Sequence, residues 1–261
     1  MSRVSIVIPC LRQDDLVEIA VRSCLRQSHL HEIIIVVSDV SQGFLTELSG
    51  LVSEFPLLRL TSMDAHVGMG SARNFGAEQA TGDYICFLNS HDELLSDFLA
   101  TTVPLLDLHP EFSSIKVGIQ VLDIYGEPVI LPGDPRYTAL LSTFSGNLIL
   151  RRTAFVRMGG FSEDPRFSGE LAGEEAAFSS AVEQYLAPVG FLPEAFYRHN
   201  DRPGSRLQNF LKSTKVVGNN VFEFRSIVPE QAADGILGQA IDNYLKLVKV
   251  RLLVSEGEGQ G

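Results

Sequence analysis

Residues 4–39 read VSIVIPCLRQDDLVEIAVRSCLRQSHLHEIIIVVSD, and their pattern decides the fold. Val4 to Pro9 is a short β-branched run closed by proline, the composition of a parallel strand buried on both faces. Asp14 and Asp15 follow where the first turn of a helix favours acids. Leu16, Ile19, Ala20 and Cys24 then fall on one helical face. A second apolar run, Ile33 to Val37, starts after Glu32 and again reads as a strand.

Outward from this unit the alternation continues. Leu45, Leu48 and Leu51 mark a helix, and Leu57 to Leu60 a third strand. Gly70 to Ala80 reads as a helix closed by Gly82, and Tyr84 to Leu88 as a fourth strand. Four strand–helix alternations in succession predict a doubly wound α/β fold, with a mostly parallel sheet flanked by helices. In such sheets ligands bind beyond the carboxyl ends of the strands. Those ends are Pro9-Cys10, Ser38-Asp39 and Asn89 to Asp92.

The second half is less regular. Ile115 to Ile124, Val129-Ile130, Gly146 to Leu150 and Val189 to Tyr197 read as strands. Glu174 to Tyr185 reads as a helix, and Gly159-Gly160 punctuates a shorter one. From Ser205 the pattern is mainly helical, with Ala240, Tyr244, Val248 and Leu252 on one face. This C-terminal extension, 205–254, is expected to cover the core or to form a homodimer interface. The tail 255–261 has the composition of disorder.

The chain of 261 residues suits one large α/β domain with or without an appendage. A net charge of −11 argues against nucleic-acid partners and against a lipid-docking role for the few cations of Lys246 to Arg251. Cys10, Cys24 and Cys86 are odd in number and far apart, which excludes a disulfide framework and a zinc motif. No apolar run approaches the length of a transmembrane helix. With no signal peptide visible either, a cytoplasmic location is expected.

Five separated segments share one pattern. They are VSIVIPCLRQDDLVEIAVRSCLRQSH with EIIIVVSDVS, then GMGSARNFGAEQATGDYICFLNSHDEL, GNLILRRTAFVRMGGFSED, Gly173-Glu174-Glu175, and YRHNDRPGS. Their order and spacing, over residues 3–205, resemble family 2 glycosyltransferases, which are inverting enzymes of the GT-A fold in the nucleotide-diphospho-sugar transferase superfamily. The resemblance implies a catalytic unit over 1–204, with a nucleotide-binding half (1–95) and an acceptor half (96–204). It implies transfer of a sugar from a nucleoside-diphosphate donor, a UDP-sugar foremost, to a hydroxyl of a glycan or another acceptor. Polysaccharide biosynthesis is the setting this suggests.

The same resemblance assigns residues. Pro9, Asp39, Arg73, Asn89 and Ser90 fall at the nucleotide. Asp39 matches the acid that binds the base; a carboxylate accepts from an imide N–H or from ribose hydroxyls. The fork of Arg73 suits phosphate oxygens, against the alternative of a surface ion pair with Glu78 or Asp64. Glu174 and Glu175 match the family's Glu-Asp pair, whose second acid deprotonates the acceptor. Glu175 is one methylene longer than that Asp. Arg198, His199 and Arg202 fall in the segment that meets the diphosphate. His29, His31, His66 and His109 form no ligand spacing and read as surface residues.

Asn89-Ser90-His91-Asp92 departs from the family, which carries Asp-x-Asp there to hold a divalent cation against the diphosphate. Three readings stand. A cation is held by His91 and Asp92, Mn²⁺ before Mg²⁺ because imidazole suits the softer ion. Alternatively, Arg73, Arg198, His199, Arg202 and Arg206 replace it. In the third, catalysis is lost and the protein is a sugar-nucleotide binder or assembly partner.

Overall fold

The computed structural model describes residues 2–11, 16–63, 68–167, 173–218, 221–224 and 231–258. Asp14, Asp15, Asp64, His66 and residues 259–261 lie outside them. Its first half alternates β1 (Val4–Cys10), α1 (Val17–Leu25), β2 (Leu30–Val37), α2 (Gln42–Glu54), β3 (Leu58–Ser62), α3 (Met69–Glu78) and β4 (Tyr84–Phe87). There follow β5 (Glu93–Leu94), α4 (Phe98–Leu108), β6 (Ser114–Leu122), β7 (Pro128–Ile130), α5 (Pro135–Leu141), β8 (Leu148–Arg151), α6 (Arg152–Met158), a 3-10 turn (Pro165–Phe167), α7 (Glu174–Tyr185) and β9 (Val189–Asn200). The chain continues through α8 (Arg206–Ser213), β10 (Thr214–Gly218), β11 (Val221–Phe224) and α9 (Gln231–Glu258).

Every residue of β1 is buried, and the period-two pleat sends its side chains into two separate cores. Val4, Ile6, Ile8 and Cys10 pack with Ala20, Val21, Cys24, Phe44 and Leu48 of α1 and α2. Val7 points the other way, toward Ala72 and Ala77 of α3 and Phe155, Phe178 and Val248 of the later helices. A strand covered on both faces needs an unbroken apolar run, and that is what the sequence supplies. All three cysteines are buried and free.

The sheet runs β3-β2-β1-β4-β8-β6-β9-β5, with β7 on β6. Its first four strands are parallel, as expected. Beyond them β8 is antiparallel to β4 and to β6, and β5 is antiparallel to β9. Among the described residues, only β6 and β9 return to parallel pairing in this half.

Two expectations change and one gains detail. Helix α3 ends at Glu78 with Gln79 as its C-cap, and Gly82 does not close it. A Cβ at residue 82 would stand 2.7 Å from the Ser5 nitrogen and 2.9 Å from the Arg3 carbonyl, so Gly82 serves close approach to β1. The segment after Ser205 is mainly helical, as expected, but β10 and β11 add an antiparallel hairpin, whose β-branched residues escaped a reading by helical period. Residues 255–258, read as tail, continue α9. Ala240, Tyr244, Val248 and Leu252 are buried, so this face of α9 covers the second core. Tyr244 Oη also donates to the Gly160 carbonyl at 2.6 Å. No helix among the described residues is long and apolar enough to cross a membrane.

At the amino ends of the strands sits a polar hub. Glu32 Oε1 accepts from Ser5 Oγ, Thr81 N and Thr81 Oγ1 at 2.7–2.8 Å, and Oε2 accepts from Arg59 Nη1 at 2.8 Å. Burial alone would raise the Glu32 pKa. The Thr81 amide, the two hydroxyls and Arg59 outweigh it and hold the group at about 2, against 4.5 unperturbed. A depressed folded pKa gives stability that is present above the unfolded value and lost as pH falls through the folded one. Glu32→Gln is therefore expected to lower stability by about 1–3 kcal/mol at pH 7. Urea midpoints should show the gap to wild type narrowing between pH 4.5 and pH 2. A gap that does not change with pH would refute the hub's role.

Candidate active site

Strands β1, β2 and β4 are parallel neighbours, so their carboxyl ends open at one edge of the sheet. Pro9 is buried at the end of β1. Asp39 follows β2, exposed, with φ at 54°, a left-handed conformation that Asp adopts more readily than most residues. Asn89, Ser90 and Asp92 follow β4 and are buried, while the His91 side chain is 28% exposed.

Asp92 is the centre of this edge. It is fully buried, and its four acceptor positions face four donors. Oδ2 accepts from Asn89 Nδ2 at 3.0 Å and, through a short bond, from the Tyr197 hydroxyl. Oδ1 accepts from the Asn200 amide at 3.1 Å and lies 3.0 Å from His199 Nδ1. His91 Nε2 stands 3.8 Å from the same oxygen. Burial would raise the Asp92 pKa, but His199 and His91 with these bonds hold it well below the carboxylate range. Burial likewise would lower His199, and Asp92 overrides it and raises that pKa. Ligand atoms of His91, Asp92 and His199 all lie within 4.8 Å of one another. His199, assigned from sequence to the diphosphate segment, thus joins the two residues assigned to a metal.

Strand β9 explains the grouping. Side chains alternate along it, so Tyr197 and His199 face Asp92 while Arg198 faces away. Arg198 instead donates to Glu93 Oε1 at 3.1 Å and to Gln120 Oε1 at 3.0 Å. It is not brought to the cluster. Arg202 is exposed on the turn after β9.

Asn89 links Asp92 to a second group. Its Oδ1 accepts from Arg73 Nη2 at 2.9 Å. Arg73 lies in α3 and is 1% exposed, so a surface pair with Glu78 is overturned. Its phosphate-type fork is also occupied: Nη1 donates to Glu174 Oε1 at 2.9 Å, and Nη2 is 3.2 Å from Glu175 Oε1. The guanidinium stacks on the Phe161 ring at 5.1 Å. Burial would lower the Arg73 pKa, yet Glu175 and Glu174 raise it. Arg73 Nε and Glu174 Oε2 are buried with no hydrogen-bond partner.

Glu174 and Glu175 open α7, where the helix dipole favours acids. The Glu174 side chain is 5% exposed and the Glu175 side chain 20%. Glu175 Oε1 also accepts from Ser145 Oγ at 2.5 Å. Asp92, Asn89, Arg73, the two glutamates and Ser145 form one continuous polar chain from the end of β4 to the start of α7. Sequence reasoning missed Ser145, Phe161, Tyr197 and Asn200. Tyr197 and Asn200 stood inside the YRHN block, whereas nothing local marked Ser145.

A sequence model described as Glycosyl transferase family 2 matches residues 5–161. An uncharacterized glycosyltransferase of Haemophilus influenzae is 31% identical over 100 residues, 38% of this chain and 40% of that protein. The succinoglycan biosynthesis protein ExoO of Rhizobium meliloti is 27% identical over 121 residues, 46% of this chain and 33% of that protein. The chain therefore matches less than half the length of these relatives. Among solved structures, S. aureus TarS 1–349 in complex with UDP-GlcNAc superposes with a TM-score of 0.65 at 16% identity, covering 96% of this chain and 66% of that one. That identity speaks for a shared fold.

Proposed function

The chain belongs to glycosyl transferase family 2 and carries its GT-A fold, and on that premise we propose that it moves a sugar from a nucleoside-diphosphate donor to an acceptor hydroxyl with inversion. The observation that carries this reading is the polar chain that ends in Glu175, a part-exposed acid held on the same sheet edge as the His91–Asp92–His199 cluster. TarS was crystallised with UDP-GlcNAc and with UDP, which supports a UDP-sugar as donor.

In this reading Asp39 accepts from the base or the ribose, with Pro9, Asn89 and Ser90 forming the floor beneath the nucleotide. Arg73 acts indirectly, by fixing Asn89 and both glutamates. Glu175 takes the proton of the acceptor hydroxyl while that oxygen attacks the anomeric carbon. The bond from that carbon to the diphosphate breaks on the opposite face, and the nucleoside diphosphate leaves with the electron pair. Where no cation is bound, His199, whose pKa Asp92 raises, and Arg202 face the leaving group.

One carboxylate and two imidazoles form a donor set that fits a borderline divalent cation, Mn²⁺ before Mg²⁺, held by His91, Asp92 and His199. Such an ion, when bound, neutralises charge on the leaving diphosphate. Asn89 is no ligand in this arrangement, because its oxygen faces Arg73. Mn²⁺ and UDP together are expected to raise Tm by on the order of 5–10 °C at saturating ligand, more than either alone. His199→Ala should erase the Mn²⁺ increment and keep that of UDP. An increment that survives in His199→Ala would place the ion elsewhere.

The second reading is a binder without turnover, favoured by Asn89 and His91 standing where the family carries acids. A nucleotide-sugar panel with and without Mn²⁺ separates the two. Turnover of one UDP-sugar is expected. UDP binding with no turnover of any donor would overturn the enzyme.

A further inference from the structure

Resting on the reading of Glu175 as base, we propose that Ser145 is the positioning residue that aims it. Two donors and a cation converge on one oxygen of Glu175: Ser145 Oγ at 2.5 Å and Ser145 N at 3.3 Å donate to Oε1, and Arg73 Nη2 forms an ion pair with it at 3.2 Å. Among the described residues, every hydrogen bond and ion pair of Glu175 falls on Oε1. Oε2 is thereby left to meet a substrate hydroxyl. The pinning matters more here than for a shorter acid. A glutamate has one more rotatable bond than an aspartate, and a loose base loses the orientation that catalysis needs.

Ser145 itself cannot wander. It is 1% exposed and sits in the loop between α5 and β8, which is clamped on both sides. Phe144 packs on the His199 ring at 4.8 Å and on the Tyr197 ring at 5.9 Å. A Cβ at Gly146 would stand 2.3 Å from the Tyr197 ring, so the backbone lies flat against that tyrosine. Asn147 Nδ2 donates to the Val117 and Leu141 carbonyls. Tyr197 in turn donates to Asp92. One short loop thus touches both the base and the Asp92 cluster, and Ser145 sets the distance between the two halves of the reaction. The hydroxyl proton of the acceptor passes to Glu175 Oε2. Ser145 keeps its own proton and donates to Oε1 before and after the transfer.

The test compares turnover of the UDP-sugar that the wild-type chain accepts with UDP binding by calorimetry. Ser145→Ala is expected to lower kcat roughly 10- to 100-fold with UDP affinity unchanged, and Ser145→Thr to restore most of it. In a Glu175→Asp background the side chain no longer reaches Ser145, so adding Ser145→Ala should cost nothing more. Wild-type kcat in Ser145→Ala, a parallel loss of UDP binding, or an equal loss in the Glu175→Asp background would overturn the proposal. Should Ser145→Ala not fold, Ser145→Cys, close in volume and a weaker donor, decides by the same readout. Turnover that survives Glu175→Ala sinks the base assignment itself. Turnover lost in Glu175→Ala but intact in Ser145→Ala sinks only the role of Ser145.

Discussion

Arg73→Met is expected to destabilise the protein by about 3–5 kcal/mol, a large share of the stability of a domain this size. Arg73 is the cation among three polar partners, two of which, Asn89 and Glu174, have almost no access to water. Methionine fills much of its volume but leaves Glu174, 5% exposed, with a buried charge and no counter-charge. It also strips the donor from Asn89 Oδ1 and the stacked cation from Phe161. The contrast is an exposed pair such as Arg22–Glu18, whose side chains are about half exposed. Pairs of that kind contribute little, because water and salt screen them. Arg73→Lys keeps the charge and loses the planar fork, so it should fall between. Arg73→Met combined with Glu174→Gln should recover part of the loss, because the stranded charge goes with it. Urea denaturation measures each. A cost below about 1 kcal/mol for Arg73→Met would mean that the acids are relieved by another group.

Glu175→Gln should behave differently, lowering kcat about 10²- to 10⁴-fold at saturating donor. The amide keeps the shape of the carboxylate and cannot take a proton. Arg73 retains Glu174, and the Glu175 side chain is 20% exposed, so little stability is at stake. Glu174→Gln should show the reverse, a marked loss of stability with a smaller effect on rate, since its carboxylate is enclosed beside Arg73. Kinetics and denaturation on the same two variants test the assignment of roles. If Glu174→Gln were the slower enzyme, the base would be Glu174 and the register of the pair would shift by one.

Much of this was legible in local sequence. The unbroken run at Val4 to Pro9 and the apolar Ile33 to Val37 read as strands covered on both faces, and the two cores bear that out. The spacing of Ala240, Tyr244, Val248 and Leu252 marked the buried face of α9. Residues at strand ends were nameable because a parallel sheet sends them to one edge. The β10–β11 hairpin was not legible, since Val216, Val217 and Val221 are largely exposed and carry no core periodicity. The antiparallel half of the sheet was not legible either, because strand direction depends on which partner a strand meets and not on its composition.

The sequence by itself determined the alternating α/β order, the edge at which chemistry-bearing residues gather, and the unusual Asn89-Ser90-His91-Asp92 segment. Only the tertiary structure decided who meets whom. It buried Arg73 as a tie between Asn89 and two glutamates. It brought His199 to Asp92 and sent Arg198 to the other face of β9. It set Ser145 against Glu175. The physical reason is that hydrogen bonds and ion pairs act over a few ångströms in space, between residues up to 109 positions apart in the chain. Periodicity speaks only for neighbours along a helix or strand.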